Sequence, residues 1–193
     1  MTRPTPDSQA SVVAGTLLVA SPELVDPNFA DTVVLMIDVD EGGAVGLVLN
    51  RPSPVLVADV LESWRDVVSE PETLFSGGPV GADGALGLAR LRDPDEPPVG
   101  FTPVFADLGL VDLDTPVELV EGTLAEARIF AGYAGWGAEQ LRREVDEGSW
   151  YVVPGEAGDV FRDTVDDLRR QVLRRQPGQA AWASTRPADP ELN

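Results

Sequence analysis

Apolar runs separated by Gly, Pro and acidic residues divide the first half of the chain into short elements. Residues 15–20 (GTLLVA) are continuously apolar and predict a buried strand. Ser21-Pro22 and Asp26-Pro27 then mark a loop, because the residue before a proline avoids helical backbone angles. Residues 32–38 (TVVLMID) and 44–50 (AVGLVLN) predict two strands joined by the turn Asp40-Glu41-Gly42-Gly43, a β-hairpin. Arg51-Pro52-Ser53-Pro54 cannot extend the second strand through two prolines. Val57, Val60, Leu61 and Trp64 recur at i, i+3, i+4 and i+7, which predicts a helix with one apolar face.

The second half is less regular. Leu74-Phe75-Ser76 leads into a sharp turn at Gly77-Gly78-Pro79, and residues 85–91 predict a short strand. Residues 92–103 hold four prolines and predict an exposed loop. Residues 117–120 and 128–131 are strand candidates. Residues 132–137 (GYAGWG) predict a glycine-aromatic turn feeding a short helix. In that helix Leu141 and Val145 face inward, and Gly148 ends it. Residues 150–153 predict another strand. Phe161, Val165, Leu168 and Val172 follow a 3.6-residue period, which predicts a helix over 159–175. Arg169, Arg170, Arg174 and Arg175 would complement the negative end of its dipole. Residues 1–11 predict a disordered tail and residues 177–193 a C-terminal tail, with Trp182 placed to pin the latter. The body, 12–176, then reads as one α+β domain: a mixed or antiparallel sheet with an N-terminal hairpin and several packed helices. No regular βαβ rhythm supports a doubly wound sheet.

Composition narrows the chemistry. The 193 residues contain no Cys and no His. Disulfides, thiol or imidazole catalysis and Cys- or His-ligated metals are therefore excluded. All 14 basic residues are Arg, against 33 acidic ones, for a net charge of −19. Without Lys, Schiff-base and P-loop mechanisms fall away. The negative charge disfavours nucleic acid and anionic membranes as partners. The apolar run at 12–20 is too short to span a bilayer. Only Arg3 precedes it, with Asp7 between, so it lacks a signal-peptide n-region and a cytoplasmic location is expected.

Three segments could still carry binding chemistry. Asp26-Pro27-Asn28-Phe29 lies between two strands. There Asp26 can cap backbone N–H groups or face a ligand, and Phe29 can anchor the loop. Asn50-Arg51-Pro52 offers an amide and a guanidinium suited to a carboxylate or phosphate, or to an internal ion pair. Gly132-Tyr133-Ala134-Gly135-Trp136-Gly137 presents two aromatic faces with polar tips, followed by Gln140 and Glu144 four apart on a helix face. Gly77, Gly78, Pro79, Gly132 and Gly135, with Pro27, Phe29 and Pro52, are read as turn-forming residues. Asp38, Asp40 and Glu41 match no metal-loop spacing. No metal, cofactor or catalytic residue is assigned.

These segments, in this order, resemble the YqgE/AlgH family. The resemblance rests on GTLLVASPELVDPNFADTVVLMI, GAVGLVLNRP, the GGPV turn and GYAGWGAEQLRREVDEGSWYVVP. It implies a cytosolic bacterial α+β protein of unsettled biochemistry, and one lineage of the family carries a transcriptional-regulator label. The matching positions are Asp26, Pro27, Phe29, Asn50, Arg51, Pro52, Gly77, Gly78, Pro79, Gly132, Tyr133, Trp136, Gln140, Leu141 and Glu144. Two positions depart: Val39 stands where many relatives have His, and Glu139 where they often have Gly. The expectation is a non-enzymatic regulatory or adaptor protein binding a small molecule or a protein partner. One alternative is an enzyme using Asp26 or Glu144, with Arg51 holding an anionic substrate. A second is direct action on DNA, which the net charge disfavours.

Overall fold

A computed structural model describes residues 11–177, so the predicted tails, Trp182 included, lie almost entirely outside the described residues. The first three strands are β1 (Thr16–Ala20), β2 (Val33–Val39) and β3 (Gly43–Val48), and β2 and β3 form the expected hairpin. β4 (Pro52–Leu56), β5 (Thr73–Ser76), β6 (Val80–Leu91), β7 (Phe101–Phe105) and β8 (Leu108–Val111) follow. The long β9 (Leu124–Gly137) and β10 (Trp150–Pro154) complete the sheet. Its order is β10-β1-β2-β3-β9-β6-β8-β7, with β5 branching off β9 and carrying β4 at its outer edge. All pairings are antiparallel except β5 with β9. Among the described residues three α-helices accompany it: α1 (Val57–Val60), α2 (Ala138–Asp146) and α3 (Leu168–Arg174). The α+β reading therefore needs adjusting, because the described residues are mostly sheet and the helices few and short.

Burial explains the unbroken apolar runs. Leu17 and Val19 of β1 enter the central core, whereas Leu18 and Ala20 enter a cluster on the opposite face. A strand covered on both faces needs no polar alternation. The central core takes Leu35 and Leu47 from one half of the sheet and Leu88, Leu108 and Phe130 from the other. The sheet thus curls around one shared interior. Phe29, Trp136, Trp150 and Leu141 of α2 pack on the outer face of the β1–β3 half. Val57 and Trp64 pack against Ala89, Val111 and Ile129 on the outer face of the other half.

One break in register lets β9 serve both halves. Phe130 points into the central core, so strict alternation would send Ala134 and Trp136 there as well. Instead those two lie in the outer cluster, and Tyr133 packs against the core. The parity changes at Gly132, whose φ is +69°, and the register with β6 slips between Val80 and Ala85. Five steps of β6 stand there against two of β9, an irregularity of the kind that re-aims the side chains beyond it. The Gly77-Gly78 segment crosses at this point. The Val48 N–H donates to Gly77 O (2.9 Å), and the Gly77 N–H donates to Ala131 O (2.8 Å). A Cβ on Gly78 would lie 2.2 Å from the Tyr133 backbone, and one on Gly132 would lie 2.6 Å from Gly78 O. The two glycine motifs are the two sides of one backbone joint.

Several sequence expectations change. Residues 132–137 are not a turn: Gly132 and Gly135 lie within β9, which runs on as a strand through the joint. Pro52 and Pro54 lie in β4, not in a turn, and Pro103 lies in β7, inside the expected exposed loop. Both strands are at edges, where a missing N–H is tolerated. The 57–64 segment is one α-turn followed by a 3-10 turn (Glu62–Trp64). The tighter turn breaks the 3.6-residue period, so Val57 and Trp64 are buried but Val60 is exposed. Residues 117–119 form a 3-10 turn rather than a strand.

The helix expected over 159–175 is confined to α3, although Phe161, Val165, Leu168 and Val172 are all buried. The first part of that segment is engaged by Arg128, a buried cation on β9. Its guanidinium donates to Val160 O, Arg162 O (3.0 Å) and Glu70 O (2.7 Å), and stacks over the Phe75 ring at 4.2 Å. The carbonyls of Val160 and Arg162 therefore serve Arg128 instead of a helical ladder. Burial pushes the pKa of Arg128 down to about 10, so it remains charged at neutral pH.

The joint makes a direct prediction. Gly78→Ala should lower unfolding free energy in urea by about 3 kcal/mol or more, because neither backbone can withdraw. Gly135→Ala, whose added Cβ meets only the Tyr133 ring at 3.6 Å, should be close to neutral. Equal stability of the two variants would contradict the joint.

Candidate functional site

The motif residues converge on the loop between β1 and β2. That loop has many backbone groups and no strand partner, so its carbonyls need donors from elsewhere. Asp26 begins the turn: its Oδ1 accepts from the Asn28 N–H (2.8 Å), and its carbonyl accepts from the N–H groups of Phe29 and Ala30. Arg51, just past β3, donates to Asn28 O (2.7 Å), Pro27 O (3.0 Å) and Ala30 O (3.2 Å). Asn50 accepts from the Val33 N–H (2.9 Å) and donates to Asp31 O (2.9 Å). The amide and guanidinium that could have gripped an external anion thus grip this loop.

Phe29 projects from the clamped loop onto two tryptophans. Its ring centroid lies 5.6 Å from Trp136 and 5.7 Å from Trp150, and the two indoles are 5.9 Å apart, edge to face. Both indole N–H groups donate to Glu144 Oε2 at 2.9 Å, and Gln140 Nε2 donates to Glu144 Oε1 at 2.9 Å. Glu144 therefore ties β9 and β10 to α2, the helix that connects them. Trp150 was not singled out in the sequence. Its partners lie in other elements, and no local spacing signals them.

Tyr133 stands apart from this assembly. The parity change turns it toward the central core, and it borders a shallow cavity of about 540 Å³ beside the hairpin tip, with Asp38, Asp40 and Trp136. Gly77, Gly78 and Pro79 connect β5 to β6 at the joint. On the other side of the hairpin tip a groove of about 530 Å³ separates it from α2. Val12, Val39, Ala44, Leu141 and Val145 supply its apolar lining, and Asp40, Glu41 and Glu139 its acidic border. Arg142, on the same border, pairs with Glu139 at 3.6 Å. Asp40 also closes the hairpin, accepting from the N–H groups of Gly42 and Gly43.

The arginines near the C-terminal helix do not make a basic patch. Arg175 pairs with Asp159 (2.7 Å) and Glu156 (2.9 Å), Arg170 with Asp167 (3.2 Å), and Arg169 donates to Ala20 O. The Asp159 hydrogen bonds raise the pKa of Arg175 further above its ordinary value. Among the described residues no group of three or more acidic side chains is placed to hold a metal ion. No helix among them is long and apolar enough to cross a membrane.

The tryptophan assembly can be tested directly. Glu144→Leu removes the acceptor of two nearly buried indole N–H groups. It should cost about 2–4 kcal/mol and shift the tryptophan emission. Glu144→Gln, which keeps one acceptor oxygen, should cost clearly less. Unchanged stability and emission in Glu144→Leu would contradict the assignment.

Comparison with known proteins shows the family. The AlgH-like family profile matches residues 17–181. A UPF0301 protein of Streptomyces avermitilis is 50% identical over 189 residues, covering 96% of this chain and 98% of that protein. A UPF0301 protein of Mycobacterium tuberculosis is 41% identical over 185 residues, covering 94% and 91%. The crystal structure of a Corynebacterium diphtheriae protein superposes with a TM-score of 0.87 at 30% identity, covering 93% and 95%. The solution structure of the AlgH protein from Pseudomonas aeruginosa gives a TM-score of 0.68 at 25% identity, covering 97% and 98%. The profile spans most of the chain and half the residues are shared with a relative along nearly its whole length: this chain belongs to the AlgH-like family.

Proposed function

We propose that this protein is a non-enzymatic regulatory or adaptor protein that receives a cationic amphipathic segment of another protein in the groove between α2 and the hairpin tip. The observation that carries this reading is a contrast. The side chains with the most chemical potential, Arg51, Asn50, Gln140 and Glu144, are engaged with the protein's own backbone and indoles. The open groove has an apolar lining and an acidic border. Such a border attracts positive charge and sets the orientation of what binds, while the apolar lining supplies affinity. An enzyme built on Arg51 and Glu144 would need these groups free for a substrate. Direct action on DNA finds little support in arginines already paired with carboxylates.

Fluorescence anisotropy with a labelled synthetic amphipathic helix carrying Arg on its polar face tests the reading. Binding should weaken as salt rises, because the bordering charges are exposed. The double reversal Glu41→Lys/Glu139→Lys should weaken binding tenfold or more, by roughly the cost of placing like charges together, without lowering the melting temperature. A peptide of the same pattern with Glu in place of Arg should not bind. Equal affinity for both peptides, no binding of either, or indifference to the charge reversal would contradict it.

A further inference from the structure

The segment that leads into β1 forms part of the groove beside α2. Ser11 and Val12, the first two described residues, line it together with Leu141 and Val145 of α2. Their position is fixed from behind. The Thr16 N–H donates to Val13 O (3.0 Å), the Val13 N–H donates to Thr16 Oγ1 (3.2 Å), and the Gly15 N–H donates to Met36 O (2.8 Å). Ahead of this turn, Val12 packs on the outer apolar cluster. Val39 and Val145 pack on the same cluster, and Ala44 and Leu141 belong to it. The apolar lining of the groove is therefore the open side of that cluster, and Val12 already covers part of it.

Residues 1–10 (MTRPTPDSQA) continue from this wall. Arg3 is their one base and Asp7 their one acid. Arg3 and Thr5 each precede a proline, which biases both toward extended backbone. An extended run of this kind rises about 3.1 Å per residue, so it can carry Arg3 up to about 25 Å from Ser11. The nine residues of α2 span only about 13.5 Å. The acidic border at Glu41 and Glu139 is thus within reach of that one cation.

We propose that residues 1–10 occupy the groove of their own chain and hold it against other segments. Pro4 and Pro6 rest on the apolar lining, and Arg3 meets the acidic border. The regulatory consequence rests on the reading of the groove as a partner site. A tethered segment acts at an effective concentration on the order of millimolar, so weak contacts suffice. Prolines already extended also lose little freedom on docking. Asp7 cancels the charge of Arg3, which makes the segment a poorer match for the border than a partner with several arginines. Such a partner displaces it, and access to the groove becomes conditional on positive charge.

The chain has no Cys, so Thr2→Cys gives a single attachment point for a nitroxide. In NMR spectra of the full chain the label should strip most of the amide intensity from Glu41, Glu139 and Arg142, relative to the same sample after reduction of the nitroxide. Amides of α1, which packs on the outer face of the other half of the sheet, should keep theirs. Adding Arg3→Glu to the labelled chain should restore the groove signals. No loss at the groove, equal loss at α1, or loss that survives Arg3→Glu would overturn the proposal. Loss of groove signals in an isotope-enriched, unlabelled copy mixed with the labelled one would put a second copy's segment there and overturn it too. The Arg-bearing probe peptide gives a separate readout. The unlabelled Arg3→Glu chain should bind it about threefold or more tighter than the native chain, because the tethered competitor is weakened. Equal affinity would overturn the competition. Binding to neither chain would contradict the partner reading alone, since the label still reports whether residues 1–10 are docked.

Discussion

A loop that pairs with no strand leaves carbonyl groups to be satisfied, and in this protein a guanidinium satisfies three of them. Arg51 reaches from the end of β3 to Pro27, Asn28 and Ala30, and Asn50 adds the carbonyl of Asp31. The loop is thereby held in one conformation against the sheet. Two consequences run outward from it. Phe29 is fixed between Trp136 and Trp150, whose indoles converge on Glu144 and so hold α2. Asp31 and Ala30 are fixed through their carbonyls at the end of the loop, where β2 begins. The motif residues act chiefly by positioning other groups.

The second constraint is the joint of backbone against backbone at Gly77-Gly78 and Gly132-Tyr133. It allows one long strand to pair with β6 as far as Tyr133, with β5 at Phe130 and Ala131, and with β3 from Ala134 to Gly137. Because the parity of β9 changes there, Trp136 faces the clamped loop instead of the interior. Without that change Phe29 would have no indole partner on β9, and Glu144 would have only Trp150 to bind. The clamp and the joint therefore meet in the same aromatic cluster, one from each end of the β1–β3 half of the sheet.

Much of this was legible in the sequence. The first three strands, the hairpin and the short helix with Leu141 inward follow from runs and periods that local physics determines. Asp26, Asn50, Arg51, Trp136, Gln140 and Glu144 stand out in the sequence as polar or aromatic groups near turns, but the direction of their bonds does not. Whether Arg51 binds a foreign anion or a carbonyl 23 residues away depends on tertiary placement. Glycines in a short window usually mark a turn, whereas in the glycine-aromatic segment they permit close backbone crossing inside a strand. The long C-terminal helix was overestimated for a comparable reason. Its apolar period reports burial, which the structure bears out, but Arg128 takes the carbonyls that a helix would need.

Arg51 acts through the loop that carries Phe29. A double-mutant cycle on Arg51→Ala and Phe29→Ala, read as unfolding free energies in urea, tests that claim most directly. If the clamp positions Phe29, removing either residue already releases most of what the other holds. The double variant should then be less destabilised than the sum of the single ones by about 1 kcal/mol or more. Additive effects, within the few tenths of a kcal/mol expected for independent sites, would contradict it.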